Sequence, residues 1–455
     1  MSRCIVHIGM HKTGSSSIQS SLEGFSDNTF YYAKLSSGPN HSVAMHSIFS
    51  DRPQRHHLHI GKKRSDIDSY ISKSRDSLEQ SIKIAQDRIL IISAESISQL
   101  PYNNVKAIYK FLSKIFDEIQ VVGYVRPPVA LMTSIFQESL KGTANNHFDI
   151  ERTYKGYRNT FSKFDDIFSP ENVQLWKFEP QAFPDGCVVQ DFCSRLGIAL
   201  PKQKIVRTNE SLSLQAVSLL HIYRKFGGTL DSVSLRGQES MRLGNAIKNI
   251  GNDRFRFAPD IMLPFLKKNS DDIQWMENRI GQSLEENLSQ RFDTDINNET
   301  DLIQAGVHIV PQLLQLVGRP KSDHRLIRTP EAIALLVGQL RQKTASKGGI
   351  SPFKALIGRL GNVTTKQVNG WAIGINPSIP VRVKITVNGK MVGEKTADLF
   401  RPRLKSCGFH PTGLCGFSYV FTEDHSLRLG DSVEVQPVDG SFRLANSPYL
   451  FSGAE

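Results

Sequence analysis

Ile5-Val6-His7-Ile8-Gly9-Met10-His11-Lys12-Thr13-Gly14-Ser15-Ser16-Ser17-Ile18-Gln19 is the stretch on which the reading of this chain turns. A short apolar run stops at Gly9, passes Lys12 and Gly14, and opens into three serines and a helical pattern. That order spells a strand, a phosphate-sized loop and a helix N-terminus. Backbone N–H groups at such a turn point toward a bound anion, the helix dipole favours negative charge, and Lys12 supplies a full positive charge. The loop is not a Walker A, which places four residues between its first glycine and a Gly-Lys pair. Here lysine precedes the second glycine, in the order Gly-x-x-Lys-Thr-Gly-Ser.

A second apolar run, Ile119 to Val125, ends in Arg126-Pro127-Pro128 and leads into Val129-Ala130-Leu131-Met132-Thr133-Ser134-Ile135-Phe136. Prolines are tolerated at a helix start, where the missing N–H costs little, but not in its interior. Leu131, Met132, Ile135 and Phe136 then fall on one buried helical face. Arg126 is thereby placed at the C-terminal edge of a strand, with Ser134 about two turns along the following helix. An arginine there gives a planar, permanently charged, bidentate grip, and a serine adds a donor without bulk.

The two motifs together resemble those of sulfotransferases that use 3′-phosphoadenosine-5′-phosphosulfate (PAPS). The form His-x-Gly-x-x-Lys-Thr-Gly resembles most the bacterial members that sulfate glycans and lipids. The resemblance implies that His11, Lys12, Thr13, Gly14, Ser15, Ser16 and Ser17 surround the 5′-phosphate, and that Arg126 and Ser134 hold the 3′-phosphate. It implies transfer of a sulfuryl group to a hydroxyl or amine, with 3′-phosphoadenosine-5′-phosphate as product and no metal. Lys12 would neutralise charge on the departing phosphate. A Mg²⁺-dependent phosphoryl transferase usually carries an aspartate at a strand end to hold its metal. Neither Ile89-Leu90-Ile91-Ile92-Ser93 nor the run ending at Val125 has one.

For proton removal from the acceptor, Glu95 in Ser93-Ala94-Glu95-Ser96 is the first candidate, as a carboxylate tuned by its neighbours. The soluble animal sulfotransferases have a histidine after the comparable strand; this chain departs from them there. Glu95 reads alternatively as the cap of a helix starting near 96. His11, beside Lys12, is the second candidate base. His41, in Asn40-His41-Ser42, resembles a recurrent block of the family and is a candidate for the acceptor site together with Glu95. The cluster His56-His57-x-His59 lies in a basic stretch and reads as a lid or an acidic-glycan patch rather than a metal site. Arg207-Thr208-Asn209-Glu210-Ser211 also resembles a family block and reads alternatively as an N-cap and turn.

Composition bounds these readings. The chain has 455 residues, 39% hydrophobic and 22% charged, which allows two or three domains with ample core. The net charge of +12 suits a polyanionic donor and an acidic acceptor or membrane surface. No zinc-finger, helix-turn-helix or RNP-type signature supports nucleic acid as a partner. Five scattered cysteines (4, 187, 193, 407 and 415) give neither zinc spacing nor a disulfide framework. The apolar residues after Cys4 are too few for a signal peptide, and no run reaches transmembrane length, so a cytoplasmic location is expected, with peripheral membrane contact left open.

The expected fold class is α/β, a parallel sheet with flanking helices and a P-loop-like phosphate loop, followed by a small all-β C-terminal domain, a sandwich. Strands are expected at 4–9, 29–33, 89–93, 119–125 and 172–177, alternating with helices such as 102–117 and 212–225. The domain expectation is 1–290 for transfer chemistry, 291–350 for a helical extension and linker, and 351–455 for the β-sandwich. Within the last, Val381 to Val387 alternates strictly and runs into Asn388-Gly389, a strong hairpin signal. Asn369-Gly370-Trp371-Ala372 and Gly413 to Phe417 resemble a module appended to bacterial surface-glycan enzymes, and Trp371 reads as a core residue or a sugar-stacking one. The reading is therefore a PAPS-dependent sulfotransferase acting on a carbohydrate or lipid-linked glycan. Its rivals are a Mg²⁺-dependent nucleotide kinase and a catalytically inactive glycan-binding protein.

Overall fold

The computed structural model describes residues 2–56, 59, 62–141, 147–208, 211–226, 243–318, 321, 324, 327, 329–345, 355–374, 378–406, 410–422, 426–438, 444 and 446–453. The linker expected at Ser346 to Gly349, and His57, Asn209, Glu210 and Cys407, lie outside the described residues.

The chain divides into two compact units. The first comprises Met1–Ile135, Asp149–Ser211 and Pro259–Arg291; the second comprises Phe136–Phe148, Leu212–Ala258 and Phe292–Glu455.

The first unit is built on five parallel strands: β1 (Arg3–His7), β2 (Phe30–Tyr32), β3 (Ile89–Ser93), β4 (Glu118–Val125) and β5 (Val173–Lys177). Their order across the sheet is β2-β3-β1-β4-β5. β1 is central, with His7 opposite both Ser93 of β3 and Val122 of β4. The connection from β1 leaves toward β2, while that from β4 leaves toward β5. Such a reversal opens a crevice beyond the carboxyl ends of the strands, where ligands of open α/β sheets bind. The fold class is therefore α/β as the alternating pattern implied.

Strand residues alternate between two buried faces, as period-2 side chains must when helices cover both sides. Cys4, Val6, Leu90, Ile92, Val121 and Val125 share one core with residues of α2 (Ser42–Phe49), α3 (Arg64–Ala85), α4 (Tyr102–Leu112) and α6 (Tyr157–Phe168). Ile5, Ile91, Val122 and Tyr124 share another with Ile18 and Leu22 of α1 (Ser15–Leu22) and Phe192 of α7 (Val188–Leu196). α5 (Pro128–Lys141) follows β4, as the prolines predicted. Asp272, in the later helix 270–280, accepts from Tyr157 N (2.6 Å), Arg158 N (2.9 Å) and Tyr154 Oη (2.6 Å) and so caps α6.

In the second unit, α8 (Leu214–Phe226) belongs with helices Glu299–His308 and Pro330–Ala345, the last matching the helix expected at 330–343. Among the described residues, eight further strands form two antiparallel sheets. One contains 355–363, 367–374, 399–400 and 414–420; the other contains 381–387, 390–397, 432–437 and 449–450. Val368, Ala372 and Phe417 of the first share a core with Val383, Ile385, Val433 and Val435 of the second, which makes the pair a sandwich. Asn388 and Gly389 join strands 381–387 and 390–397 with φ of 49° and 79°. Positive φ at both turn residues is what a two-residue type I′ hairpin demands.

Candidate functional site

The chain keeps pairing with β4 after β1 ends. Ile8 N donates to Val122 O (2.9 Å), Tyr124 N to Gly9 O (2.7 Å) and Met10 N to Tyr124 O (3.1 Å). It then turns through three left-handed positions, Gly9 (φ 89°), Lys12 (φ 69°) and Gly14 (φ 76°). A side chain at Gly9 would put its Cβ 2.8 Å from Glu95 Cβ, and one at Gly14 would meet Val188 Cγ1 at 2.6 Å. Both glycines are therefore required by conformation and by space. Lys12 has no such licence; a non-glycine residue there costs roughly 1–3 kcal/mol, strain that the surrounding structure holds in place.

The hydroxyls of the loop divide their work. Thr13 Oγ1 donates to Met10 O (2.6 Å) and closes the loop on itself. Ser17 Oγ accepts from Thr208 N (3.0 Å), and Ser21 Oγ accepts from Val206 N (2.8 Å). The Arg207-Thr208 block thus runs along α1, with Arg207 also bonded to Asp185 O (3.0 Å). Ser15 Oγ is buried and has no partner among the described residues, and no side chain among them caps the N-terminus of α1. Ser16 is half-buried. An uncapped helix start carries free N–H donors and a positive dipole end, the usual setting for a phosphate.

Arg126, at the end of β4, reaches this loop: its Nη1 donates to Lys12 O over 2.6 Å. Its own carbonyl accepts from Tyr157 Oη (2.6 Å), and its guanidinium lies 5.5 Å from the Phe178 ring centroid. Ser134 is half-buried on α5. The start of α5 is occupied by Glu286, which accepts from Val129 N (2.7 Å) and Ala130 N (3.0 Å). Burial pushes the Glu286 carboxyl above its usual range, opposed by those amides and by the charges of Arg126 and Lys177.

Glu95 opens the short 3-10 turn after β3. Both its carboxylate oxygens are engaged: Gln19 Nε2 donates to Oε2 (2.6 Å) and Asn40 Nδ2 to Oε1 (3.0 Å). Burial alone would raise its pKa. The Gln19 amide, its own backbone, the His11 charge and the Asn40 amide together outweigh that and hold it below the usual carboxylate range. Glu95 thus stays ionised.

Two further histidines lie beneath it. His7 Nδ1 is 2.7 Å from Ser93 Oγ, and its ring packs against Phe192. His41 Nδ1 accepts from Ser93 N (3.0 Å), which leaves its proton on Nε2, and its ring lies 4.8 Å from that of Tyr32. Burial lowers both pKa values to about 4. His41, a candidate for the acceptor site, is completely buried at the start of α2. His59 is also buried, with Nε2 2.8 Å from Ser47 Oγ; among the described residues no group of His, Cys, Asp or Glu is arranged to hold a metal.

The structure thus brings together the loop residues, Arg126 and Glu95, and puts His41 behind them. Gln19, Asn40 and Glu286 are the additions that sequence reading missed. Gln19 carried one signal, its i,i+4 spacing from Ser15, which places both on one face of α1. Asn40 and Glu286 carried none, because their partners are distant in sequence.

No family model matches the chain. A stretch of 136 residues, 30% of the chain, is 25% identical to an uncharacterised protein of Archaeoglobus fulgidus and spans 37% of that protein's length. Among solved structures, the crystal structure of a sulfotransferase from Alicyclobacillus acidocaldarius is similar over 62% of this chain and 97% of that one, with 12% identity and a TM-score of 0.31. No helix among the described residues is long and apolar enough to cross a membrane.

Proposed function

We propose that the chain is a PAPS-dependent sulfotransferase that modifies a hydroxyl or amine of a carbohydrate or lipid-linked glycan. PAPS supplies the sulfuryl group. The observation that carries the reading is the bond from Arg126 to the Lys12 carbonyl, because it makes two anion-binding motifs, far apart in sequence, adjacent. Two motifs of this kind suit a nucleotide phosphorylated at two separate positions. The fit is supported by the uncapped start of α1, the unpartnered Ser15 hydroxyl and the glycines that leave no room for a Cβ.

In this reading His11, Lys12, Thr13, Gly14, Ser15, Ser16 and Ser17 form the 5′-phosphate loop, while Arg126 and Ser134 take the 3′-phosphate. Lys12 offsets the charge gathering on the departing phosphate, the largest single contribution a preorganised site of this type makes. Proton removal falls to the neighbourhood of Glu95 and His11. Residues 1–290 carry this chemistry, 291–350 form a helical extension and linker, and the sandwich at 351–455 is accessory. No metal or nucleic acid takes part, and the protein works in the cytoplasm.

Calorimetry of 3′-phosphoadenosine-5′-phosphate against ADP and against ATP with Mg²⁺, on wild type and Arg126→Ala, tests the reading. Selective binding of the 3′-phosphorylated nucleotide, lost in the variant, supports it. Equal or tighter binding of ATP with Mg²⁺ overturns it in favour of a nucleotide kinase.

A further inference from the structure

The two-residue strand 399–400 lies at the outer edge of its sheet, beside 414–420. Leu399 pairs with Gly416 and Phe400 with Leu414. Leu399, Phe400 and Leu414 are 47%, 54% and 47% exposed. Three large apolar side chains thus meet water at one edge of the sandwich. Single exposed apolar residues are ordinary, whereas a group of them rimmed by polar residues marks a surface that meets a partner.

The backbone beneath them is shaped to carry them. The Phe400 ring rests on Gly413, where a Cβ would lie 2.9 Å from Phe400 Cε2 and where φ is 80°. Arg401 crosses Gly416, where a Cβ would lie 2.5 Å from its Nε. From there it donates from Nη2 to Gly370 O (2.9 Å), and its backbone N donates to Gly413 O (2.8 Å). Both glycines let a side chain of the edge segment lie flat on the neighbouring strand.

The rim is basic. Arg403 and Lys405, on the short helix Pro402–Ser406, are exposed, and no carboxylate among the described residues pairs with either. Lys405 Nζ lies 5.9 Å from the Phe400 ring centroid. Asp398 precedes this segment and Glu423 follows it, but from Leu399 to Thr422 the chain has no acidic residue. Leucine and phenylalanine side chains that can enter a headgroup boundary, beside cations that stay level with the lipid phosphates, suit an anionic bilayer surface. A second copy fits less well. It would bring together like charges on a chain of net charge +12, and a strand of two residues followed by Pro402 offers little edge for pairing. A soluble polyanion would satisfy the cations but leave Leu399, Phe400 and Leu414 in water.

We propose that this edge of the sandwich docks the protein on an anionic membrane surface, with Leu399, Phe400 and Leu414 entering the headgroup boundary and Arg403 and Lys405 meeting lipid phosphates. The proposal concerns the sandwich alone and does not depend on the sulfotransferase reading. Where that reading holds, docking brings the protein to the surface on which a lipid-linked acceptor sits.

The test is co-sedimentation of the full chain with vesicles of phosphatidylcholine, alone or mixed with phosphatidylglycerol, with heparin as a soluble polyanion and analytical ultracentrifugation for self-association. Wild type is expected to bind the mixed vesicles and to leave them in high salt. Arg403→Gln combined with Lys405→Gln should weaken binding about 30-fold, from about 1 kcal/mol for each basic residue at the surface. Leu399→Ser combined with Phe400→Ser should weaken vesicle binding by about tenfold or more and leave heparin binding unchanged. Leu450→Ser, at a residue 68% exposed in strand 449–450 of the other sheet, is the control and should bind as wild type does. All the substituted side chains are exposed, so melting temperatures should hold. Vesicle binding that is absent, that ignores phosphatidylglycerol, or that survives either double variant overturns the proposal. Equal losses of heparin and vesicle binding in the apolar variant overturn it in favour of a soluble polyanion. Self-association of wild type that the apolar variant abolishes overturns it in favour of a second copy.

Discussion

Arg126 donates from Nη1 to the backbone carbonyl of Lys12 over 2.6 Å, so the end of β4 and the loop after β1 meet at one point. The contact is to a carbonyl, and it leaves the Lys12 side chain out of the exchange. The two basic residues thereby meet through the Lys12 backbone. The carbonyl of Arg126 is fixed in turn by Tyr157 Oη, whose helix start is capped by Asp272.

Arg126→Lys should not replace the arginine. A lysine ammonium is a point charge with no planar fork, so bonding to the Lys12 carbonyl would draw it away from a ligand. Affinity for 3′-phosphoadenosine-5′-phosphate, measured by calorimetry, is expected to fall about 10- to 100-fold, equivalent to one charged hydrogen bond of about 1.5–3 kcal/mol. The melting temperature should change little.

Gly9→Ala combines a left-handed φ with a Cβ set 2.8 Å from Glu95 Cβ. Left-handed strain alone costs roughly 1–3 kcal/mol, and the backbone contact adds to it. Urea unfolding should show the loss, and nucleotide binding should weaken with it. Gly24→Ala is the control: its φ of 68° imposes the backbone cost, but no atom lies within 4 Å of the added Cβ.

Stability should decline in mild acid because of His7 and His41. Each has an ordinary value of 6.5 that burial lowers to about 4. Between those values the unfolded chain binds protons that the folded chain refuses, so stability falls as pH drops. The slope is at most about 1.4 kcal/mol per pH unit for each histidine. Glu95 acts in the same direction further down: its contribution is present above its ordinary value of 4.5 and is lost as pH falls through the lower folded value. Urea midpoints measured from neutral pH to about pH 5 should show the slope, and His41→Asn should reduce it.

Glu286→Ala removes the carboxylate that accepts from Val129 and Ala130 at the start of α5. The loss of a helix cap costs about 0.5–2 kcal/mol, and Glu286→Gln, which keeps one acceptor oxygen, should lose less. Both variants remove one negative charge that interacts with Arg126, so nucleotide affinity should hold or rise while stability drops. A fall in affinity would mean that the cap is needed to shape the Arg126 site.

Much of the fold was legible in the sequence. The strands at 89–93 and 119–125 fall within a residue of their observed bounds, and the Pro127-Pro128 pair marked the start of α5. The strand expected at 4–9 ends instead at His7, because Gly9 turns to positive φ. The helix expected at 102–117 stops at Leu112, since the apolar run from Ile115 to Phe116 serves the turn into β4 rather than another helical turn. Helix 212–225 begins two residues late, at Leu214. Local pattern sets an element's type better than its ends, because the ends depend on tertiary partners.

The sequence by itself determined the alternation of strands and helices, the hairpin at Asn388-Gly389, and the loop after β1 with its two glycines. Each of these is a matter of side-chain period or of backbone φ, properties that neighbouring residues fix locally. Only the tertiary structure decided that Arg126 bonds the Lys12 carbonyl, that Gln19 and Asn40 hold the two oxygens of Glu95, that His41 is buried behind Asn40, and that Glu286 caps α5. Those pairs are joined by no local period. Their partners come together only when the parallel sheet sets the ends of β1, β3 and β4 side by side, and their strength depends on how far that assembly excludes water.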